Sequence, residues 1–250
     1  MKNARHKKIL NVLLENEKVT IDELADLFEV STMTIRRDLD TLQDNGFLTR
    51  YYGGAKVNKV VLQELSFKIK SEENIDVKRK IAQYAFSIID AKSSIYLDAG
   101  TTTYELAKLL AGASGHTIIT CDLQIASLLA NSNNDIYCVG GLVETATKSL
   151  SGTYALDLLK RINIDICFLS TNSISNNLEI ETSSESKGFV KEYLLSLDIN
   201  SVLLVDSSKF IKKSLFKIAP LGSFDYIISD YQFNKEEAKL LKNSEIINID

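Results

Sequence analysis

The chain has 250 residues, a formal charge of −4, and 45% apolar and 25% charged side chains. That length suits one large domain or a small domain beside a larger one, and the composition is that of a soluble globular protein. The acidic balance excludes a protein that coats nucleic acid indiscriminately, and no apolar run approaches the roughly 20 residues of a membrane span.

The N-terminal "MKNARHKKIL" is basic but leads into a charged amphipathic helix, not a secretory segment, so the expected address is the cytoplasm. Across 4–20, Ile9, Val12 and Leu13 fall at helical spacing. Thr20 and Glu23 form a Thr-x-x-Glu capping box that opens a second helix, in which Ile21, Leu24, Ala25 and Leu27 share a face. After the short turn "EVS", Ser31 is an N-cap for a third helix, and Gly46 is placed to end it. Two helices, a tight turn and a third helix make a helix-turn-helix candidate.

On the third helix Ile35, Leu39 and Leu42 share an inward face. Met33 and Arg37 then point most directly outward, with Arg36 and Thr32 on one flank and Thr34 on the other. Amides and hydroxyls at such a helix start hold phosphates, and arginine forks match the O6/N7 edge of guanine. The DNA-binding candidates are therefore Ser31, Thr32, Met33, Thr34, Arg36 and Arg37, with Asp40 one turn from Arg36 and placed to orient it. "FLTRYYGGA" follows as two very short strands with a Gly-Gly bend, a small wing with Arg50 at its base for the backbone or minor groove. Most arginine pairs are simply a solvated face. Residues 1–56 hold 5 Lys and 4 Arg against 4 Glu and 5 Asp, so any DNA affinity must come from charge distribution and dimerisation.

The stretch "VSTMTIRRDLDTLQDNGFLTRYYGGA" resembles the DNA-binding signature of the DeoR family of bacterial transcriptional regulators, whose pattern VS..TIRRDL..L...G.L.R..GGA spans recognition helix and wing. One departure is Tyr52, where the family usually has histidine. The resemblance implies double-stranded operator DNA as a partner.

Three domains of sequence follow from composition: a winged helix-turn-helix over 1–56, a linker of mixed polarity with a short strand or helix over 57–76, and an α/β domain over 77–250. In the last, near-continuous apolar strands alternate with amphipathic helices, from "SIYLD" and "TIIT" through "DIYCVGG", "DICFLS", "SVLLVD" and "YIISD" to "EIINI". That pattern predicts a doubly wound, mostly parallel sheet covered on both faces. Cys121, Cys138 and Cys167 all fall in such runs and read as buried reduced thiols. His6 and His116 are far apart, which gives neither a metal site nor a His-dependent hydrolase.

Ligands of parallel sheets bind beyond the carboxyl ends of strands. At the first such junction, "LDAGTTTYELAKLL", Gly100 admits a close ligand and Thr101, Thr102 and Thr103 offer hydroxyls where a helix begins, an anion cradle most simply suited to phosphate. The plainer alternative is that Thr102 or Thr103 only caps the helix. No Walker lysine and no G-x-G-x-x-G is present, so no nucleotide cofactor is expected. "TCD" (120–122), "GG" (140–141), "STN" (170–172) and "VDSSKF" (205–210) end other strands; Asp98 and Asp206 are candidates for sugar hydroxyls and Lys209 for a phosphate. Together these predict a pocket for a small polyhydroxy phosphate.

"DAGTTT", "GG", "SGTYA" and "VDSSKF" also resemble the effector-sensing domain of DeoR-type regulators, which is similar in fold to ribose-5-phosphate isomerase. The resemblance implies a phosphorylated sugar effector that loosens DNA binding, and a dimer or tetramer. It carries effector roles to Asp98, Gly100, Thr101, Thr102, Thr103 and Lys209, and matches Lys191 to a family lysine on the helix before "VDSSKF". "TCD" departs from the family's usual Thr-Asn, and "FLSTNSI" looks like the lactose-phosphotransferase repressors, which points to a ketohexose phosphate. A rival from another class is a sugar-phosphate isomerase fused to a DNA-binding module, with Asp98 and Lys209 as acid and base, although no convincing paired base accompanies them.

Overall fold

The computed structural model describes residues 4–16, 18–45, 47–57, 67, 69–145 and 147–249. The chain divides into two compact units, 1–73 and 74–250. Gly46, expected to end the third helix, and half of the expected linker lie outside the described residues.

The smaller unit holds α1 (Ala4–Asn16), β1 (Lys18–Thr20), α2 (Ile21–Phe28), α3 (Thr32–Asp44), β2 (Leu48–Tyr51) and β3 (Gly54–Val57). The Thr20–Glu23 capping box is formed in both directions, and Glu29 turns the chain out of α2 with a left-handed φ of 52°. Ser31 accepts a hydrogen bond from the Thr34 amide and so starts α3. Ile9, Leu13, Leu24, Ile35, Leu39 and Leu42 form its core, joined by Ile69 from the segment expected to be linker. One expectation is corrected here. The helical reading of 4–20 runs too far, because α1 stops at Asn16 and Lys18–Thr20 pairs antiparallel with β3. A three-residue strand is too short to show a period of two, and its edge position is fixed only by the distant wing.

That third strand explains the Gly-Gly bend. Gly53 takes a φ of +85° in the two-residue turn, and a Cβ on Gly54 would lie 2.3 Å from the Val19 carbonyl of β1.

The larger unit opens with α4 (Ile75–Ser87) and alternates through β4 (Ser94–Leu97), α5 (Thr101–Leu110), β5 (Ser114–Thr120), α6 (Leu123–Leu129) and β6 (Asn133–Cys138). A hairpin, β7 (Leu142–Glu144) and β8 (Ser149–Ser151), leads to α7 (Thr153–Leu159) and β9 (Ile166–Leu169). Then come β10 (Ser173–Ile174), β11 (Glu179–Thr182), α8 (Glu185–Leu195), β12 (Asn200–Leu204), β13 (Phe216–Pro220), β14 (Tyr226–Ser229), α9 (Lys235–Leu240) and β15 (Glu245–Asn248).

Seven strands form one sheet in the order β15-β14-β12-β9-β4-β5-β6, and every pairing in it is parallel. Alternate residues of β4 enter opposite cores: Tyr96 packs with α7 and α8, while Ile95 and Leu97 pack with α4, α5 and α6. The sheet is therefore doubly wound. Sequence reading missed the β7–β8 hairpin and a small antiparallel sheet, β10-β11-β13.

Candidate functional site

In the smaller unit, Ser31, Thr32, Met33, Arg36 and Arg37 are exposed while Ile35, Asp38 and Leu39 are buried, so α3 presents the expected face. Met33 is 59% exposed despite being apolar. The Ser31 hydroxyl is committed to the cap, within 2.9 Å of the half-buried Thr34 hydroxyl. The opposite side of α3 is fastened through Asp38, which is 6% exposed. Its carboxylate is ion-paired with Arg5 and lies 2.9 Å from His6 Nε2, both on α1. Burial opposes that charge, but Arg5 and His6 outweigh it and hold the carboxyl below its usual range.

Asp40 does not orient Arg36, as its spacing suggested. Its carboxylate is ion-paired with the Arg50 guanidinium on β2, while the Arg50 amide donates to Gln43 Oε1 at 3.0 Å. The i,i+4 neighbour lost because β2 brings a guanidinium across from outside the helix. Tyr52, at the tip of the wing, is fully exposed.

In the larger unit, strand order reverses between β4 and β9, and the crevice beyond their carboxyl ends is the topological switch point where doubly wound sheets hold ligands. Asp98 follows β4 directly and Ser170 follows β9. The Ser170 amide and hydroxyl donate to Asp98 Oδ2 at 3.0 and 2.8 Å. Lys191, reaching in from α8, donates to the same oxygen and to the Ser170 carbonyl. Asp98 and Lys191 are 4% and 5% exposed. Burial works against the Asp98 charge, yet the ammonium and the two Ser170 donors outweigh it and keep the carboxyl below its usual range. Asp98 thus closes a buried network through Oδ2, with Oδ1 left facing the Cys121 thiol at 4.0 Å.

Gly100 is the N-cap of α5. A Cβ there would sit 2.8 Å from Ser170 Oγ, so the glycine is needed for close approach of two loops. Thr103 is fully buried and its hydroxyl donates back to the Gly100 carbonyl at 2.9 Å, so it caps no amide, and α5 starts without the side-chain cap that the plainer alternative expected. Thr101 and Gly100 remain half-buried at the helix start, and Thr102 is 6% exposed.

At the end of β12, Asp206 is 1% exposed and accepts from the Ser208 amide at 3.1 Å and from the Asn74 side chain at 2.9 Å. Lys209 is half-buried and its ammonium acts on Asp206, helping to hold that carboxyl low against burial. Asn74, the first residue of this unit, has a left-handed φ of 52° and was not foreseen from sequence.

The loop after β5 and the hairpin add a second polar cluster. Leu150 N bonds the Cys121 carbonyl at 2.7 Å, fastening β8 over "TCD". Glu144 accepts from Ser184 and Ser151 at 2.6 and 3.1 Å and pairs with Lys187 of α8 at 3.0 Å. Asp122 caps α6 through the Gln124 and Ile125 amides at 2.7 and 3.2 Å. Burial pushes its carboxyl up to about 6. Cys121 and Cys167 are buried and burial pushes both thiols up to about 12, so neither is a nucleophile at neutral pH. Cys138, expected to be buried, is exposed, because it closes the edge strand β6. Among the described residues no group of three His, Cys, Asp or Glu is arranged to hold a metal ion, and no helix is long and apolar enough to cross a membrane.

Comparison with known proteins matches both units. Residues 5–61 fit the DeoR-like helix-turn-helix domain and residues 73–231 the DeoR C-terminal sensor domain. An uncharacterised HTH-type transcriptional regulator of Haemophilus influenzae is 36% identical over 90% of this chain and 88% of its own. The lactose phosphotransferase system repressor of Lactococcus lactis is 34% identical over 94% of this chain and 93% of its own. Among solved structures, ribose 5-phosphate isomerase A of Methanocaldococcus jannaschii is 18% identical over 56% of each chain, with a TM-score of 0.42.

Proposed function

The chain belongs to the DeoR family of transcriptional regulators, and from that membership we propose that it is a repressor of a sugar-uptake or catabolic operon, released from its operator by a phosphorylated sugar. The observation that carries the reading is the placement of the Gly100–Thr103 helix start at the switch point of a parallel sheet, in a chain whose other unit is a winged helix-turn-helix. In this reading Thr32, Met33, Arg36 and Arg37 enter the major groove, Ser31 and Thr34 set the helix start against a phosphate, and Arg50 meets the DNA backbone. Gly100, Thr101 and Thr102 cradle the effector phosphate with the free amides of α5, and Lys209 supplies a cation. Thr103 and Asp98 act from behind, one bonded back to the Gly100 carbonyl and the other locking the loops together. The resemblance to lactose-phosphotransferase repressors favours a ketohexose phosphate, and the reading places the protein in the cytoplasm.

A dimer or tetramer would meet operator half-sites at helical-turn spacing. The effector binds the DNA-incompetent arrangement better and shifts the population toward it; a coupling of roughly 1–3 kcal/mol changes operator affinity about 5–150-fold. The hydrogen bond from Asn74, where the sensor unit begins, to Asp206 in the Lys209 loop supports such a link.

The test is fluorescence anisotropy at fixed salt on duplex DNA from upstream of the protein's own gene, repeated with tagatose 6-phosphate, fructose 1-phosphate, fructose 6-phosphate and the free sugars. Specific binding released by one phosphate ester is the expected result. Specific binding indifferent to all of them would refute the effector assignment, and no specific binding would refute the DNA assignment.

A further inference from the structure

We propose that Asp40 is a positioning residue for Arg50, and that by holding the wing guanidinium in place it raises discrimination between operator and random DNA. This rests on the reading of α3 and the wing as the DNA-binding surface. A carboxylate on a face that must approach a polyanion weakens binding unless it acts on a neighbour. Asp40 is exposed, with 56% of its side chain accessible, and it lies one turn along α3 from Arg36 and Arg37. Those two arginines are also exposed, and among the described residues their guanidinium groups have no partner. Arg50 is different. Its side chain is only 24% accessible, its amide is tied to Gln43, and its Nη1 is ion-paired with Asp40 Oδ1.

Arg50 is therefore fastened to α3 at two points, one from its backbone and one from its side chain. A free arginine loses much rotamer freedom when it docks on a phosphate, and a guanidinium already held in one rotamer loses less. The pair uses Nη1, and the planar fork has five N–H donors in all, so donors remain for a phosphate or a base edge. The benefit arises only where the wing is seated in register. On random DNA the Asp40 charge simply repels.

The two effects have opposite signs, which makes the proposal testable with Asp40→Asn. The duplexes are the upstream region of the protein's own gene and a shuffled sequence of the same length. The expected result is an operator affinity about two- to tenfold weaker, from the ordering of one side chain, and a shuffled-duplex affinity unchanged or higher. In an Arg50→Ala background, Asp40→Asn should no longer weaken operator binding. The thermal midpoint of the variant should match wild type, because an exposed ion pair contributes little to folding. Equal strengthening on both duplexes would overturn the proposal, leaving Asp40 as a merely unfavourable charge. So would a loss that persists undiminished without Arg50. If the wild type itself fails to prefer its upstream duplex, the DNA-binding reading fails and the proposal falls with it, a result distinct from either of these.

Discussion

The two units organise their polar groups in opposite ways. In the smaller one the exposed face of α3 and the wing come from residues 31–54, and the side chains that matter stand on single short elements facing solvent. In the larger one the buried Asp98 is bonded to residues 72 and 93 positions away, and the buried Asp206 to one 132 positions away. The first arrangement is a surface; the second is a network. Losing a member of a surface should remove one contact, whereas losing a member of the network should disturb every loop it joins.

The sharpest way to break that contrast is Asp98→Ala. It leaves the Lys191 ammonium buried without its carboxylate, which typically costs about 3–5 kcal/mol. Hydrogen exchange should show lost protection in β4, β9 and α8, with α1–α3 unchanged. Replacing both partners, Asp98→Asn with Lys191→Met, should recover more than half of the loss, since a buried pair is worth little over apolar groups of similar volume. A single variant as stable as wild type would mean that the network does not hold these loops.

Arg37→Ala probes the other arrangement. Its expected cost is about 1–3 kcal/mol of operator discrimination, roughly 5–150-fold in affinity, with hydrogen exchange in both units unaltered. Equal operator affinity for variant and wild type would remove Arg37 from the DNA surface. Lys209→Ala stands between the two cases, being half-buried but outside the Asp98 network. It should raise the sugar-phosphate concentration needed for release about tenfold, by loss of one charge-assisted contact, and leave stability within about 0.5 kcal/mol. Release at the wild-type concentration would exclude it from the effector site.

What was legible in the sequence follows the same division. α2 and α3 announced themselves because capping box, N-cap and apolar period all lie within a few residues of one another, at Thr20–Glu23, Ser31 and Ile35–Leu42. The parallel strands were legible from their apolar runs, and the switch point from the junction sequences that end them. Partners were not. Nothing local distinguishes Asp98 with a free carboxylate from Asp98 bound to Lys191, because the difference is made by α8 folding back over the sheet. Asp40 was assigned to its helical neighbour for the same reason: sequence spacing sees i,i+4 and is blind to β2. The short strands β1, β7 and β10 failed for lack of length, having only two or three residues each in which to show a period.

The finest test of the contrast compares two aspartates at the carboxyl ends of neighbouring strands, β4 and β5. Asp98 has Lys191 and the Ser170 donors and is held ionised, so its stabilising effect is complete above the unfolded value near 3.9 and fades only below it. Asp122 has the Gln124 and Ile125 amides and the more distant Lys187, but burial and the neighbouring Asp98 charge prevail and raise its carboxyl to about 6. Between about pH 4 and 6 the folded chain then binds a proton at Asp122 that the unfolded chain does not, so this group makes stability fall as pH rises through that window and level off above it. The size should be on the order of 2–3 kcal/mol, since the buried group has little water to screen it. Asp122→Asn keeps an acceptor for the α6 cap and removes the titration. Denaturant unfolding should find the variant more stable than wild type at pH 7.5, with the difference shrinking as pH falls and gone below about pH 4. A difference independent of pH would mean that Asp122 is ionised throughout. The capping amides and Lys187 would then support a second buried anion without the direct ion pair that Asp98 has.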